Sequence, residues 1–151
     1  MGVPVSVILG RKGDEVATIT PTATLAEAAT ALTDRGIGAL VVSIDGVAVE
    51  GVLSERDIVR EMARQGPAVL EEPVSMAMTG DVTTCRRDTS TNELIAIMTE
   101  ERIRHVPVLD DDRLAGIVSI GDIVKWRMDE LADEGQRLRE YVTGSQLLSA
   151  E

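Results

Sequence analysis

One internal repeat constrains this chain more than any other feature of it. Val16, Thr18, Glu27, Thr33, Ile37, Val42 and Asp45 reappear 66 positions later as Val82, Thr84, Glu93, Thr99, Ile103, Val108 and Asp111. One residue is then lost, and Gly51, Ser54, Asp57, Ile58 and Val59 reappear 65 positions on as Gly116, Ser119, Asp122, Ile123 and Val124. A repeat is read before any motif because it sets the architecture. A unit of about 65 residues buries little apolar surface alone, so the two copies are expected to pack face to face about a pseudo-twofold axis. Equivalent positions would then meet at one cleft. The division along the chain is a first repeat with its lead-in over 1–66, a second over 67–128, and a helical extension over 129–151. Residues 66–74, with Gly66, Pro67 and Pro73, form the joint.

Each copy reads strand, helix, strand, strand, helix, an α/β chain of the α+β type. In the first copy Val16 to Ile19 is a strand. Thr24-Leu-Ala-Glu27 caps a helix with Leu25, Ala28, Ala29 and Leu32 on one face, and Gly36 stops it. Ala39 to Val42 is a buried strand, Asp45-Gly46 a turn and Val49 to Leu53 the next strand. Ser54 opens a second helix carrying Ile58, Val59 and Met62. In the second copy Ser90-x-x-Glu93 is the cap, Leu94, Ile97 and Met98 the helix face, and Val106-Pro107-Val108 a strand that Pro107 places at an edge or an end. The methionines at 62, 98 and 128 fall on helix faces and read as packing, as does Cys85 in its strand.

Composition narrows the function classes. Fifteen basic against 26 acidic residues leave a net charge of −11, which repels nucleic acid and anionic membranes in bulk. With no Phe, one Tyr and one Trp there is no aromatic platform for stacking bases. One Cys with one His excludes an internal disulfide and falls short of a zinc site, so no metal is expected. The chain shows no signal-peptide pattern and no apolar run long enough to span a bilayer, and a cytoplasmic location is expected.

The recurring chemistry is Gly51-Val-Leu-Ser54-Glu-Arg-Asp57 and Gly116-Ile-Val-Ser119-Ile-Gly-Asp122. A Ser followed three residues later by a carboxylate is first of all a helix cap. The same turn also presents N–H donors and a hydroxyl to an anion, with a carboxylate free to accept from a ribose diol. Together with Ile-Gly-Ala-Leu-Val-Val at 37 to 42, Arg-His-Val-Pro-Val at 104 to 108, and the lead-ins Ile8-Leu9-x-x-Lys12-Gly13 and Met76-Ala-Met-Thr79, this pattern resembles tandem CBS domains, the paired arrangement called a Bateman module.

That resemblance implies a cleft with up to two adenosyl-ligand sites. AMP, ATP, ADP, NAD and S-adenosylmethionine are ligands in the family. By position, Asp57 and Asp122 would hold ribose hydroxyls, and Ser54 and Ser119 the ribose-phosphate region. Ile37 with Ala39, and Ile103 with Val106, would line the adenine slots. Arg104 and His105 would reach the phosphate beside the other repeat's Asp57, whereas the matching Gly38 and Ala39 bring no charge, so the two sites are not equivalent. Arg56 and Lys12 are further phosphate candidates. Arg56 also reads as a solvated helix face, and Arg104 as a partner for Glu100 or Glu101.

Past the second repeat, Val124, Met128, Leu131, Gly135, Leu138 and Val142 follow 4-3-4-3-4 spacing, the period of a helix-packing seam. Its partner is either this chain's core or a second copy, and a homodimer is expected because family modules commonly pair. Three classes of function compete. A regulatory, energy-sensing module that binds AMP, ATP, ADP or NAD, requires no cofactor and acts on an unidentified regulated protein accounts for the repeat, both Ser/Asp turns and the local cations. A ligand-independent interaction adaptor uses the same turns as caps alone. An enzyme is disfavoured by the lack of a nucleophile and base pair.

Overall fold

Helix boundaries follow from local chemistry that occurs twice. The structure is a computed structural model and describes residues 2–149, so residues 150 and 151 of the expected extension lie outside the described residues. In order, the elements are α1 Val5–Lys12, β1 Thr18–Ile19, α2 Leu25–Arg35, β2 Ala39–Val42, β3 Gly51–Ser54, α3 Glu55–Gln65, a 3-10 helix Pro67–Glu71, and α4 Val74–Ala77. There follow β4 Cys85–Arg86, α5 Thr91–Glu101, β5 His105–Asp110, β6 Arg113–Ser119 and α6 Ile120–Ser149. Thr24 accepts from the Glu27 N–H at the start of α2, and Gly36 ends that helix in the left-handed region, φ 61°. At α5 the Ser90 hydroxyl accepts from the Asn92 N–H rather than from Glu93. The strands β1 and β3 are shorter than the apolar runs suggest, starting at Thr18 and Gly51.

Each repeat builds a three-stranded sheet, ordered β1-β2-β3 and β4-β5-β6, with a parallel first pair and an antiparallel second. The central strands are therefore β2 and β5. Pro107 thus lies in a central strand, paired with Ile117, and not at an edge or end. The reason is visible in the first repeat, where the equivalent Val41 N–H donates to the Ala17 carbonyl beyond the end of β1 at 3.1 Å. Pro107 has no N–H to donate on that flank, and its pairing with the preceding strand accordingly starts one residue later, at Cys85–Val108 where the first repeat starts at Thr18–Val41, so the strand stays central at the cost of the parallel pair at Pro107.

The two hydrophobic cores are laced across the repeats. Leu25, Leu32, Leu40 and Leu53 of the first repeat pack with Val69 and Val74 from the joint. Leu94, Val106, Val108, Val118, Ile123 and Trp126 of the second pack with Val5, Ile8 and Leu9 of α1. Each core is thus closed by the segment that precedes the other repeat in sequence. The backbone repeats this exchange: the Val5 N–H donates to Thr89 at 2.8 Å, and the Val74 N–H to Ala23 at 2.7 Å. Cys85 is buried in the second core; burial, reinforced by the Glu93 charge, pushes its thiol up to about 11. Met98 is buried there as well, whereas Met62 and Met128 are exposed, 37% and 62%. The α6 seam faces outward, with Val124, Leu131, Leu138 and Val142 all exposed, so it does not pack on the chain's own core.

Candidate functional site

Both Ser/Asp turns fold as reciprocal helix caps. Ser54 N–H and Oγ donate to Asp57 Oδ2 at 2.8 and 3.0 Å, and the Asp57 N–H donates to Ser54 Oγ at 3.3 Å. In the second repeat, Ser119 N–H donates to Asp122 Oδ2 at 2.9 Å and the Asp122 N–H returns to Ser119 Oγ at 3.1 Å. Capping engages one oxygen of each carboxylate and leaves acceptor sites on the other. The strand starts match too: Glu55 N–H donates to the Gly38 carbonyl at 3.0 Å and Ile120 N–H to that of Arg104 at 2.9 Å.

The carboxylates then part ways. Asp57 is buried, 8% exposed, beside an exposed Arg60 whose guanidinium donates to Oδ1 at 3.3 Å. Asp122 is half-buried and engaged by the Lys12 ammonium at 2.5 Å. Burial pushes the Asp122 carboxyl up, but the Lys12 hydrogen bond and the Ser119 N–H outweigh it and leave it below the ordinary value of 3.8. Lys12 reaches Asp122 because α1 has eight residues where its counterpart α4 has four. Aligned on their matched Val5 and Val74 hydrogen bonds, the two lead-ins differ by 69 positions rather than 66, so the extra turn ending in Lys12 has no equivalent.

A cavity of about 470 Å³ opens between the repeats, in the range of small-molecule sites. One wall carries Ser54, Arg56 and Asp57 of the first repeat, the other Ile103, Arg104 and His105 of the second. Gly38 and Ser119 also line it. The cross-repeat meeting of Asp57 with Arg104 and His105 is therefore present. Ile37 lies instead on an outer groove, and Ala39 and Val106 are buried, 6% and 0% exposed, so they do not line the cavity. Lys12 and Asp122 are paired with each other outside it. Glu101 bonds the Thr83 hydroxyl, and Arg104 is in no ion pair among the described residues. The His105 ring lies against Gly38, where a Cβ would stand 3.3 Å from its Cε1. Sequence reading did not single out Arg60, Arg102, Asp81 or Thr83, all of which line the cavity, and named Thr79, which lines it too, only as part of the second lead-in. Arg60 sits one turn after Asp57, a spacing that could have flagged it.

Two α/β units that exchange their lead-ins and share a cleft between Ser/Asp turns define a tandem-repeat module. The CBS domain profile matches residues 12–64 and 74–129, and the chain belongs to the CBS domain family. A CBS pair is a regulatory module. Among solved structures, a CBS-domain containing protein of Agrobacterium tumefaciens is 48% identical, with a TM-score of 0.80 over 83% of this chain and 99% of that one. The CBS domain pair of protein MJ0100, in complex with 5′-methylthioadenosine and S-adenosyl-L-methionine, is 26% identical, with a TM-score of 0.73 over 82% of this chain and 98% of that one. The mitochondrial CBS domain-containing protein CBSX3 of Arabidopsis thaliana is 36% identical over 80% of this chain, which spans 61% of that relative's length.

Proposed function

We propose that the protein is a non-catalytic regulatory module that binds one adenine nucleotide, AMP, ADP, ATP or NAD, in the Asp57 cleft. It requires no further cofactor and reports occupancy to a regulated protein through the relative orientation of its repeats. The observation that carries this reading is a buried carboxylate, Asp57, on one repeat facing the Arg104 cation and the His105 imidazole on the other across one cavity. A ligand there touches both halves, so its affinity differs between their orientations, which is the requirement for a population shift. One site per chain is the natural stoichiometry, because Lys12 holds Asp122 and the cation positions on that side are Gly38 and Ala39. S-adenosylmethionine is a poorer fit, since its sulfonium would face Arg56 and Arg104. A cytoplasmic setting and pairing with a second copy through the outward α6 seam complete the proposal. Among the described residues no helix is long and apolar enough to cross a membrane.

Titration calorimetry with AMP tests the site. Asp57→Asn, which keeps an acceptor for the Ser54 N–H, and Arg104→Ala are each expected to weaken binding about tenfold or more, the scale of one charge-assisted hydrogen bond. Asp122→Asn is expected to spare it. Loss of binding in Asp122→Asn but not in Asp57→Asn would overturn the assignment, and no binding of any adenosine compound would favour the adaptor.

A further inference from the structure

Outside the cavity, two grooves of about 490 and 420 Å³ flank the repeats. They are the same groove twice. Thr33 and Ile37 line one where Thr99 and Ile103 line the other, at the repeat's offset of 66. Their electrostatics are opposite. The second groove carries Arg56, Arg102 and Arg104, and it is continuous with the cavity through all three. The repeat-equivalent positions are Gly121, Gly36 and Gly38, while the first groove instead carries Glu55 where the second has Ile120. Three arginines thus line the second groove, where the first has Gly36 and Gly38 and the third equivalent, Gly121, lines the cavity. None of the three arginines is in an ion pair among the described residues, although the chain has 26 acidic residues.

Arg102 adds an independent observation. It is the residue after α5 and has φ 57°, ψ 43°, almost the conformation of its counterpart Gly36 at φ 61°, ψ 39°. That left-handed position favours glycine, and a long side chain there is strained by its Cβ. Among the described residues the other non-glycine residues with positive φ are Asp111 and Asp112, a residue type that tolerates the region. Strain of this kind persists where the side chain has a task, and Arg102 lines both the cleft and its outward continuation.

We propose that the ligand of the Asp57 cleft is a nucleoside 5′-di- or triphosphate whose phosphate chain passes over Ile103 and Arg104 into the outer groove and is held there by Arg56 and Arg102. This rests on the adenine-nucleotide reading and narrows it by phosphate count. Arginine suits the purpose because its planar fork meets two phosphate oxygens at once.

The test is calorimetry of the full chain with AMP, ADP, ATP and 5′-methylthioadenosine in magnesium-free buffer at fixed ionic strength, with the melting temperature of each variant recorded. ATP is expected to bind about tenfold or more tighter than AMP, the equivalent of one added charge-assisted contact. Arg102→Gly is expected to melt at the same or a higher temperature than the parent, yet to bring ATP to within about threefold of AMP. Arg56→Ala should likewise narrow the ratio, while Arg35→Ala, the same charge loss on α2, should preserve it. Equal affinity for AMP and ATP, or a ratio that survives both Arg102→Gly and Arg56→Ala, overturns the phosphate-chain proposal and leaves adenosine binding standing. Failure of all four compounds to bind overturns both.

Discussion

His105 is the chain's one histidine, so its ring signal can be followed by NMR without assignment. Burial and then the Lys12 ammonium hold its pKa below the ordinary 6.5, with Asp122 and Glu55 pulling the other way and Arg104 adding to the depression. A base whose folded pKa is depressed favours the folded state fully above the unfolded value and loses that contribution as pH falls from 6.5 towards the folded value. The melting temperature should therefore decline between pH 7 and the folded pKa, and His105→Gln should flatten that slope. A profile as steep in His105→Gln as in the parent would place the titration elsewhere. Asp122 acts at lower pH, its contribution being lost as pH falls below 3.8 through its own depressed value. Bound phosphate favours the imidazolium, so nucleotide affinity should rise with acidification over the same His105 titration. At this scale, Ser54 and Asp57 are legible in the sequence because they recur in register. Arg102 is not: it stands opposite Gly36, and a comparison of repeats looks for identity where this site depends on difference.

Among elements, α6 is one continuous helix of 30 residues, so the expected extension is the second helix of the repeat carried onward. Its 4-3-4-3-4 period is legible as a seam, but period alone does not tell an inward face from an outward one. Val124 and Met128 are 53% and 62% exposed, and the repeat-equivalent of Val124 on α3, Val59, is exposed at 65%. An apolar stripe left in water on both helices suits association with a second copy. The place to cut follows from Trp126, which is buried in the second core, and from Asp129, which pairs with Arg11 of α1 at 3.9 Å. Truncation after Glu130 keeps both contacts. It is expected to lower the mass measured by light scattering to that of one chain and to leave nucleotide affinity within about twofold, a few tenths of a kcal/mol. An unchanged mass would move the dimer contact off the seam beyond that point. Pro107 teaches the complementary lesson: a central strand absorbs the missing N–H by giving up one pair on its parallel flank, and that tolerance is a property of the sheet and not of the residue.

For the whole molecule, the exchange of lead-ins couples two units that look separable in sequence. A cut at residue 66 would strand α1 away from Leu94 and Trp126, and Val69 and Val74 away from Leu25 and Leu53. Unfolding followed by Trp126 fluorescence, which reports the second core, should coincide with unfolding followed by far-ultraviolet circular dichroism, which reports both. Separate transitions would show that the cores melt independently. The repeat made the two units legible, but the lacing was not, because short lead-ins carry a few apolar residues that suit either core. The same lacing orders events during synthesis. The first core is complete in sequence once Val74 has been made, whereas Val5, Ile8 and Leu9 leave the ribosome ahead of both repeats and have no finished core until Trp126 follows them. The growing chain therefore carries α1 as an unmatched apolar strip while both repeats are being made, and the segment synthesised ahead of the module is the last of it to be sealed.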